Sequence, residues 1–169
     1  MRYKIREAHL SDAREIALLH VKSWQAAYKN ILPSKKLDTL SLSEKITSWK
    51  KRLNYSEINL PKTLIVEYDG EIIGFCSFGA DPDESNIGSI LAIYFYPKYW
   101  GMGYSEKLIY TALKNLQLSG FKLIILWVVE DNVRALRFYK KIGFLPYKKY
   151  KIVSLLGCQI REICLFKKL

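Results

Sequence analysis

Hydrophobic positions are most continuous in the middle of the chain, over residues 90–118. β-branched and aromatic residues fill Ile90 to Tyr96, which predicts a buried strand that ends at Pro97, because proline cannot donate to a neighbouring strand. Apolar residues then recur at helical spacing from Ser105 onward, at Leu108, Ile109, Ala112, Leu113 and Leu116. The pattern therefore predicts a strand and an amphipathic helix joined by a short turn.

Before this unit, the pattern predicts two helices and three strands. The predicted elements are a strand over Arg2–Arg6, a helix capped by Ser11 with a buried stripe from Ala13 to Trp24, a helix from Ser41 that carries Trp49, and strands over Thr63–Glu67 and Ile72–Phe78. Ser41 and Glu44 form a capping box, and Asp69-Gly70 is a strong hairpin signal.

After residue 118, the pattern predicts a strand, a helix and a final pair of strands. These are a strand over Phe121–Val129, a helix from Asp131 to Gly143, and antiparallel strands over Phe144–Val153 and Gln159–Phe166. A strand, a crossover helix and a second strand imply parallel neighbours with a right-handed connection. We find no repeat or linker, and expect one α/β domain over residues 1–169.

Composition limits the class of protein. Half of the 169 residues are apolar, which is enough for one domain with a real core. No apolar run approaches the ~20 residues of a membrane span, and the start of the chain lacks the apolar stretch of a secretory signal. Three cysteines, Cys76, Cys158 and Cys164, lie in apolar contexts without metal-ligand spacing. We therefore expect a cytoplasmic protein with reduced cysteines and no metal.

The net charge of +11 raises the question of an anionic partner. Lysines outnumber arginines 20 to 7 and are spread along the chain. Specific nucleic-acid readers usually rely on arginine and a recognisable module, and the sequence contains no such module. Solvated lysines on the protein surface explain the charge better, so a basic nucleic-acid-binding module is the weakest alternative.

The turn Gly101-Met102-Gly103 lies between the central strand and its helix. Without a Cβ, its backbone can approach a ligand, and the free N–H groups and positive dipole of a helix N-terminus favour a phosphate there. An ordinary strand-to-helix turn would also accept two glycines. The turn has neither the Lys-Ser/Thr pair of a P-loop nor the third glycine of a dinucleotide fold.

Two motifs resemble those of the Gcn5-related N-acetyltransferase superfamily. Its acetyl-coenzyme A loop has the pattern Gln/Arg-x-x-Gly-x-Gly/Ala, which residues 100–105 match at Gly103 but not at Trp100 or Ser105. Its second pattern, Asn-x-x-Ala-x-x-Phe-Tyr-x-x-x-Gly-Phe, matches at Asn132, Ala135, Phe138, Tyr139, Gly143 and Phe144. The resemblance implies a mixed, mostly antiparallel sheet of about six or seven strands with a central parallel pair, flanked by about four helices.

The resemblance also implies contacts with acetyl-coenzyme A. Backbone groups would meet the pantetheine arm and thioester at Ile93, Tyr94 and Phe95, and the pyrophosphate at Gly101, Met102, Gly103, Tyr104 and Ser105. Asn132 would bond the pantetheine arm. Tyr139 would stand near the thioester sulfur, where a phenol can protonate the leaving thiolate.

The implied activity is transfer of an acetyl group to a primary amine by direct attack in a ternary complex. Trp24 and Tyr28 lie in a stretch that resembles the helices lining the acceptor pocket, although core packing explains them equally simply. The acceptor is not identified, and homodimer formation is left open.

The base that deprotonates the amine is missing from its usual place. Many members of the superfamily carry a Glu on the central strand where this chain has Ser89, which cannot act as a simple base at neutral pH. Water, bulk solvent, Glu130, Asp83 or Glu84 remain as alternatives. The departures at Ser89, Trp100 and Ser105 also leave open a catalytically silent acyl-coenzyme A-binding protein.

Overall fold

The computed structural model describes residues 3–54 and 61–169. Seven strands form one sheet: β1 Tyr3–Glu7, β2 Lys62–Tyr68, β3 Glu71–Ala80, β4 Gly88–Phe95, β5 Leu123–Val129, β6 Leu145–Leu155 and β7 Cys158–Lys168. Their order is β1-β2-β3-β4-β5-β7-β6, and all neighbours are antiparallel except the β4–β5 pair. The predicted mixed sheet with a central parallel pair is confirmed. Arg2, the first residue of the predicted β1, lies outside the described residues.

Five α-helices occur in the described part of the chain: α1 Ala13–Ala27, α2 Ser34–Leu37, α3 Leu42–Leu53, α4 Tyr104–Leu118 and α5 Val133–Lys141. The single turn α2 was not predicted. α1 and α3 cover one face of the sheet around Ile65 and Phe75. α4 packs on the other face, where Leu108 and Ile109 are fully buried.

Two predicted helix starts are wrong by one or two residues. Ser11 lies within a 3₁₀ turn, and the N-cap of α1 is the next residue, Asp12, whose side chain accepts the His9 N–H at 2.7 Å and no N–H of α1. α5 begins after Asn132 rather than at Asp131, since the Asn132 Oδ1 accepts the Ala135 N–H at 3.2 Å. In both places the sequence offered neighbouring residues with equally suitable side chains.

The central strand β4 is irregular at Leu91. On β3, Ser77 faces Ala92 and the next residue faces Ile90, so Leu91 is an extra residue in a β-bulge. β4 pairs with β5 only at Gly88 and Ser89. From Ile90 onward the two strands have no ladder between them, and a cleft opens there.

None of the helices in residues 3–54 and 61–169 is long and apolar enough to cross a membrane.

An ion network ties the start of α1 to the edge of the sheet. The Arg6 guanidinium donates to both Asp12 oxygens, at 2.7 and 3.0 Å, and to the Glu67 carboxylate at 2.9 and 3.2 Å. Asp12 is buried, and its hydrogen bonds with Arg6 lower the pKa of its carboxyl. The network therefore joins β1, β2 and α1 through charge-assisted bonds.

We expect Asp12→Asn to lower the free energy of unfolding at pH 7 by about 1–3 kcal/mol, because the charge-assisted bonds to Arg6 are lost. Since the folded-state pKa of Asp12 is lowered, its contribution is present above the unfolded pKa near ~3.9 and is lost as pH falls through the folded pKa. Urea unfolding at pH 7 and at about pH 3 measures this. The difference in the free energy of unfolding between Asp12→Asn and wild type should be smaller at the lower pH. Exposed Asp38→Asn is the control, and equal effects of the two variants would contradict the expectation.

Candidate active site

The cleft between β4 and β5 forms a cavity of about 540 Å³. One wall is β4 from Ile90 to Phe95, and the opposite wall is the end of β5 with the first two turns of α5. The loop from Tyr99 to Ser105 lines it at the N-terminus of α4, and α1 with its C-cap contributes Ser23, Ala27 and Tyr28. The cavity therefore connects a helix N-terminus with a group of aromatic side chains.

The loop before α4 presents backbone to the cleft. Gly101 and Gly103 have φ of +77° and +82°, a backbone conformation that is strained for any residue with a β-carbon. In the described structure, the N–H groups from Gly101 to Ser105 have no hydrogen-bond acceptor. Met102 is exposed, and the Tyr104 ring packs among tyrosines outside the cavity. The loop therefore offers successive free donors at the positive end of α4, as an anion site requires.

Trp100, which departs from the superfamily pattern, links the loop to the end of β4 by a hydrogen bond. Its indole N–H donates to the Phe95 carbonyl at 2.9 Å, and the buried Ser23 hydroxyl donates to the same oxygen at 3.0 Å. Hydrogen bonds from α1 and from the loop before α4 therefore hold Phe95, the last residue of β4. The Trp100 ring also lines the cavity and stacks on Arg134.

α5 brings both of its predicted site residues to the cavity. Asn132 lies at the N-cap, where its Oδ1 is used by the Ala135 N–H. Tyr139 lies two turns further on, buried, with burial raising the pKa of its hydroxyl. Tyr139 therefore stays protonated at neutral pH, but it is a weaker acid than a free phenol.

Tyr94 contributes a side chain that the sequence prediction missed. Its hydroxyl lies 3.2 Å from that of Tyr28, and burial raises the pKa of Tyr94 well above its usual value and that of Tyr28 as well. Ile93 and Phe95 pack toward α4, whereas Tyr94 points to the α1 face. The sequence could have indicated this, because side chains alternate between the two faces of a sheet along a strand. Tyr94 must therefore lie on the opposite face from Ile93 and Phe95.

Trp24 lies behind this pair of tyrosines and does not line the cavity. Its indole N–H is buried and has no hydrogen-bond partner among the described residues. The Lys45 ammonium lies 4.7 Å from the Trp24 ring centroid. Tyr28 lines the cavity directly, and acceptor contact by either residue stays a prediction.

His20, in the buried stripe predicted for α1, is a core residue. Its Nδ1 accepts from the Trp49 indole at 3.2 Å, and its ring stacks on Tyr94 at 5.0 Å between centroids. Burial lowers the pKa of His20 to about 3. His20 is therefore neutral and unable to take up a proton near pH 7.

Neither Ser89, at the usual position of the base, nor the alternative acids line the cavity. Ser89 is buried in the paired part of β4, outside the lining. The Glu130 carboxylate lies 3.5 Å from the Arg161 guanidinium, and the Glu84 carboxylate lies 3.0 Å from the Lys149 ammonium. Neither of these two residues lines the cavity, and nor does Asp83. The one acidic residue among the described lining is Glu106 in the first turn of α4, and its carboxylate lies 2.6 Å from the Lys141 ammonium.

Comparisons with known proteins agree with this arrangement. The Acetyltransferase (GNAT) family profile matches residues 24–144. The chain is 31% identical over 131 residues to the uncharacterized N-acetyltransferase YuaI of Bacillus subtilis, covering 76% of this chain and 72% of that protein. It is 31% identical over 94 residues to a spermine/spermidine N(1)-acetyltransferase of Bacillus subtilis, covering 52% of this chain and 62% of that protein.

A solved structure shares the fold over its whole length. It is a PaiA N-acetyltransferase from Thermoplasma acidophilum in complex with coenzyme A, with a TM-score of 0.78, 23% identity and 100% of each chain covered. The resemblance inferred from the two sequence motifs is confirmed. This chain belongs to the GNAT family and is an N-acetyltransferase that uses acetyl-coenzyme A.

Proposed function

We propose that residues 1–169 act as one catalytic domain that transfers the acetyl group to a primary amine by direct attack in a ternary complex. The observation that supports this most is the single channel between β4 and β5. It joins the N–H groups of the Gly101–Ser105 loop to the tyrosines at the far end. A long phosphate-bearing thioester and a small amine could therefore meet in it without a covalent enzyme intermediate.

In this proposal the channel binds acetyl-coenzyme A mainly through backbone. The free N–H groups from Gly101 to Ser105 hold the pyrophosphate. Beyond the split, Ile93, Tyr94 and Phe95 have no partner on β5. Apart from the Phe95 carbonyl, which Ser23 and Trp100 occupy, polar groups on that edge of β4 are therefore available to the pantetheine arm. Asn132 uses its oxygen as the α5 cap, which leaves its side-chain NH₂ to donate to a pantetheine carbonyl.

The reaction needs few side chains. The neutral amine attacks the thioester carbonyl, a C–N bond forms, and a backbone N–H of β4 stabilises the oxyanion. The nitrogen of the adduct carries one proton too many and releases it to solvent. As the C–S bond breaks, Tyr139 gives its proton to the sulfur and is reprotonated from solvent. No carboxylate in the described lining lies at the amine end, so the amine loses its proton to solvent before it attacks.

The two alternatives drawn from the sequence have no structural observation in their favour. Trp100 and Ser105, which suggested a silent acyl-coenzyme A-binding protein, both line the cavity beside the free N–H groups. The basic charge that suggested nucleic-acid binding includes lysines paired with Glu71, Glu84, Glu106 and Glu162.

The three free cysteines suit a reducing compartment, so we place the reaction in the cytoplasm.

We expect Gly103→Val to weaken coenzyme A binding at least about tenfold, because the loop can no longer aim its N–H groups at one phosphate. Gly120→Val is the matched control. Gly120 also has a positive φ, of +91°, and open space around it, but it lies at the other end of α4. Isothermal titration calorimetry gives the Kd, and circular dichroism checks the fold. Equal coenzyme A affinity in the two variants would remove the loop from the site.

We expect Tyr139→Phe to lower kcat at least about tenfold, since general acid catalysis typically contributes ~10²–10⁴-fold. The ring still packs, so the Kd for coenzyme A and the melting temperature should stay close to wild type. Exposed Tyr110→Phe is the control. Steady-state assays of thiol release measure kcat, and an unchanged kcat would show that Tyr139 is only a core residue.

We expect the rising limb of kcat/KM with pH to follow the pKa of the acceptor amine rather than that of an enzyme group. Among the described residues, the cavity lining holds no base at the amine end, and His20, with a pKa of about 3, is already neutral. Two acceptors whose amine pKa values differ by about two units should therefore give limbs shifted by the same amount. A limb at one pH for both acceptors would instead identify an enzyme base.

A further inference from the structure

Trp100 and Arg134 form a stacked pair at the phosphate end of the cavity. The Arg134 Cζ lies 3.2 Å from the centroid of the Trp100 ring, and both residues line the cavity next to Gly101 and Gly103. Trp100 comes from the loop after β4, whereas Arg134 comes from the first turn of α5. The pair therefore bridges the two walls of the cleft where the free N–H groups face it.

The Arg134 charge has no anionic partner. Within residues 3–54 and 61–169, no carboxylate lies within ion-pair distance of it, and Glu106, the acid in the same lining, is already paired with Lys141. The Trp100 ring covers one face of the guanidinium and leaves its N–H edge free to donate. Arg134 is exposed, and its unpaired guanidinium would gain charge-assisted hydrogen bonds once an anion arrives.

We infer that Arg134, held on the Trp100 ring, binds the pyrophosphate of acetyl-coenzyme A from the α5 side of the cleft. This inference rests on the proposed function. The loop N–H groups contact the phosphates from one wall, and the guanidinium contacts them from the other. Trp100 thus replaces the polar Gln/Arg of the superfamily pattern with an aromatic support for a cation from another helix.

The main test compares Arg134→Gln with Arg137→Gln by calorimetry with coenzyme A. Both substitutions remove one positive charge from an exposed arginine of α5, but Arg137 does not line the cavity. We expect Arg134→Gln to weaken binding about tenfold to a hundredfold, as for loss of a charge-assisted hydrogen bond. Arg137→Gln should weaken it by less than about threefold, because its charge is screened.

The choice of phosphate is tested with dephospho-coenzyme A, which keeps the pyrophosphate and lacks the 3′-phosphate. The loss caused by Arg134→Gln should be the same for both ligands. A loss that disappears with dephospho-coenzyme A would move Arg134 to the 3′-phosphate and overturn the inference. Equal affinities of the Arg134→Gln and Arg137→Gln variants for coenzyme A would also overturn it.

The supporting role of Trp100 is tested with two variants. The two variants are Trp100→Leu alone and Trp100→Leu combined with Arg134→Gln. Trp100→Leu removes the face and should weaken binding. Adding Arg134→Gln to Trp100→Leu should then cause little further loss, because the two residues act as a unit. Full additivity would show that Arg134 binds without Trp100. If wild type itself fails to bind coenzyme A, the proposed function fails first.

Discussion

The separation of β4 from β5 is the constraint on which the rest of the site depends. The two strands pair at Gly88 and Ser89 and then diverge, and the bulge at Leu91 redirects β4 at the point of divergence. The carbonyl at the end of β4, on Phe95, is occupied by the Ser23 hydroxyl and the Trp100 indole. An unpaired strand edge usually costs stability or invites another strand. Here α1 and the loop before α4 hold it open, so the cleft is built into the fold.

Much of the fold and one half of the site could be predicted from the sequence. Strand boundaries fell within about two residues, because β-branched runs and the Asp69-Gly70 turn are local signals, and both turn residues have positive φ. The glycine loop and the Asn132–Phe144 segment were also local motifs. Helix starts were less certain, since Asp12 and Asn132 compete for caps with Ser11 and Asp131. Only the tertiary structure shows that Asp12 is engaged by Arg6.

The parts that could not be predicted are contacts between distant segments. Tyr28 and Tyr94 are 66 residues apart, and nothing in either local pattern says that their hydroxyls lie 3.2 Å apart. The Trp100–Arg134 stack likewise joins a loop to a helix beyond the next strand. Such pairs depend on how far β4 and β5 diverge, and no periodicity encodes that distance. The sequence shows that Trp100 departs from the motif. It does not show that Trp100 stacks on Arg134, which lies on α5.

The arrangement of α5 links the two ends of the channel. Asn132, Arg134 and Tyr139 all line the cavity from one short helix, and Tyr139 lies about 7.5 Å further along its axis than Arg134 at 1.5 Å per residue. A rigid helix cannot move its first turn onto a phosphate without also moving its second turn relative to the thioester. In the proposed mechanism, cofactor binding at Arg134 and proton donation at Tyr139 would therefore be coupled by geometry. That coupling would let a site whose loop supplies only backbone donors align the sulfur with its acid.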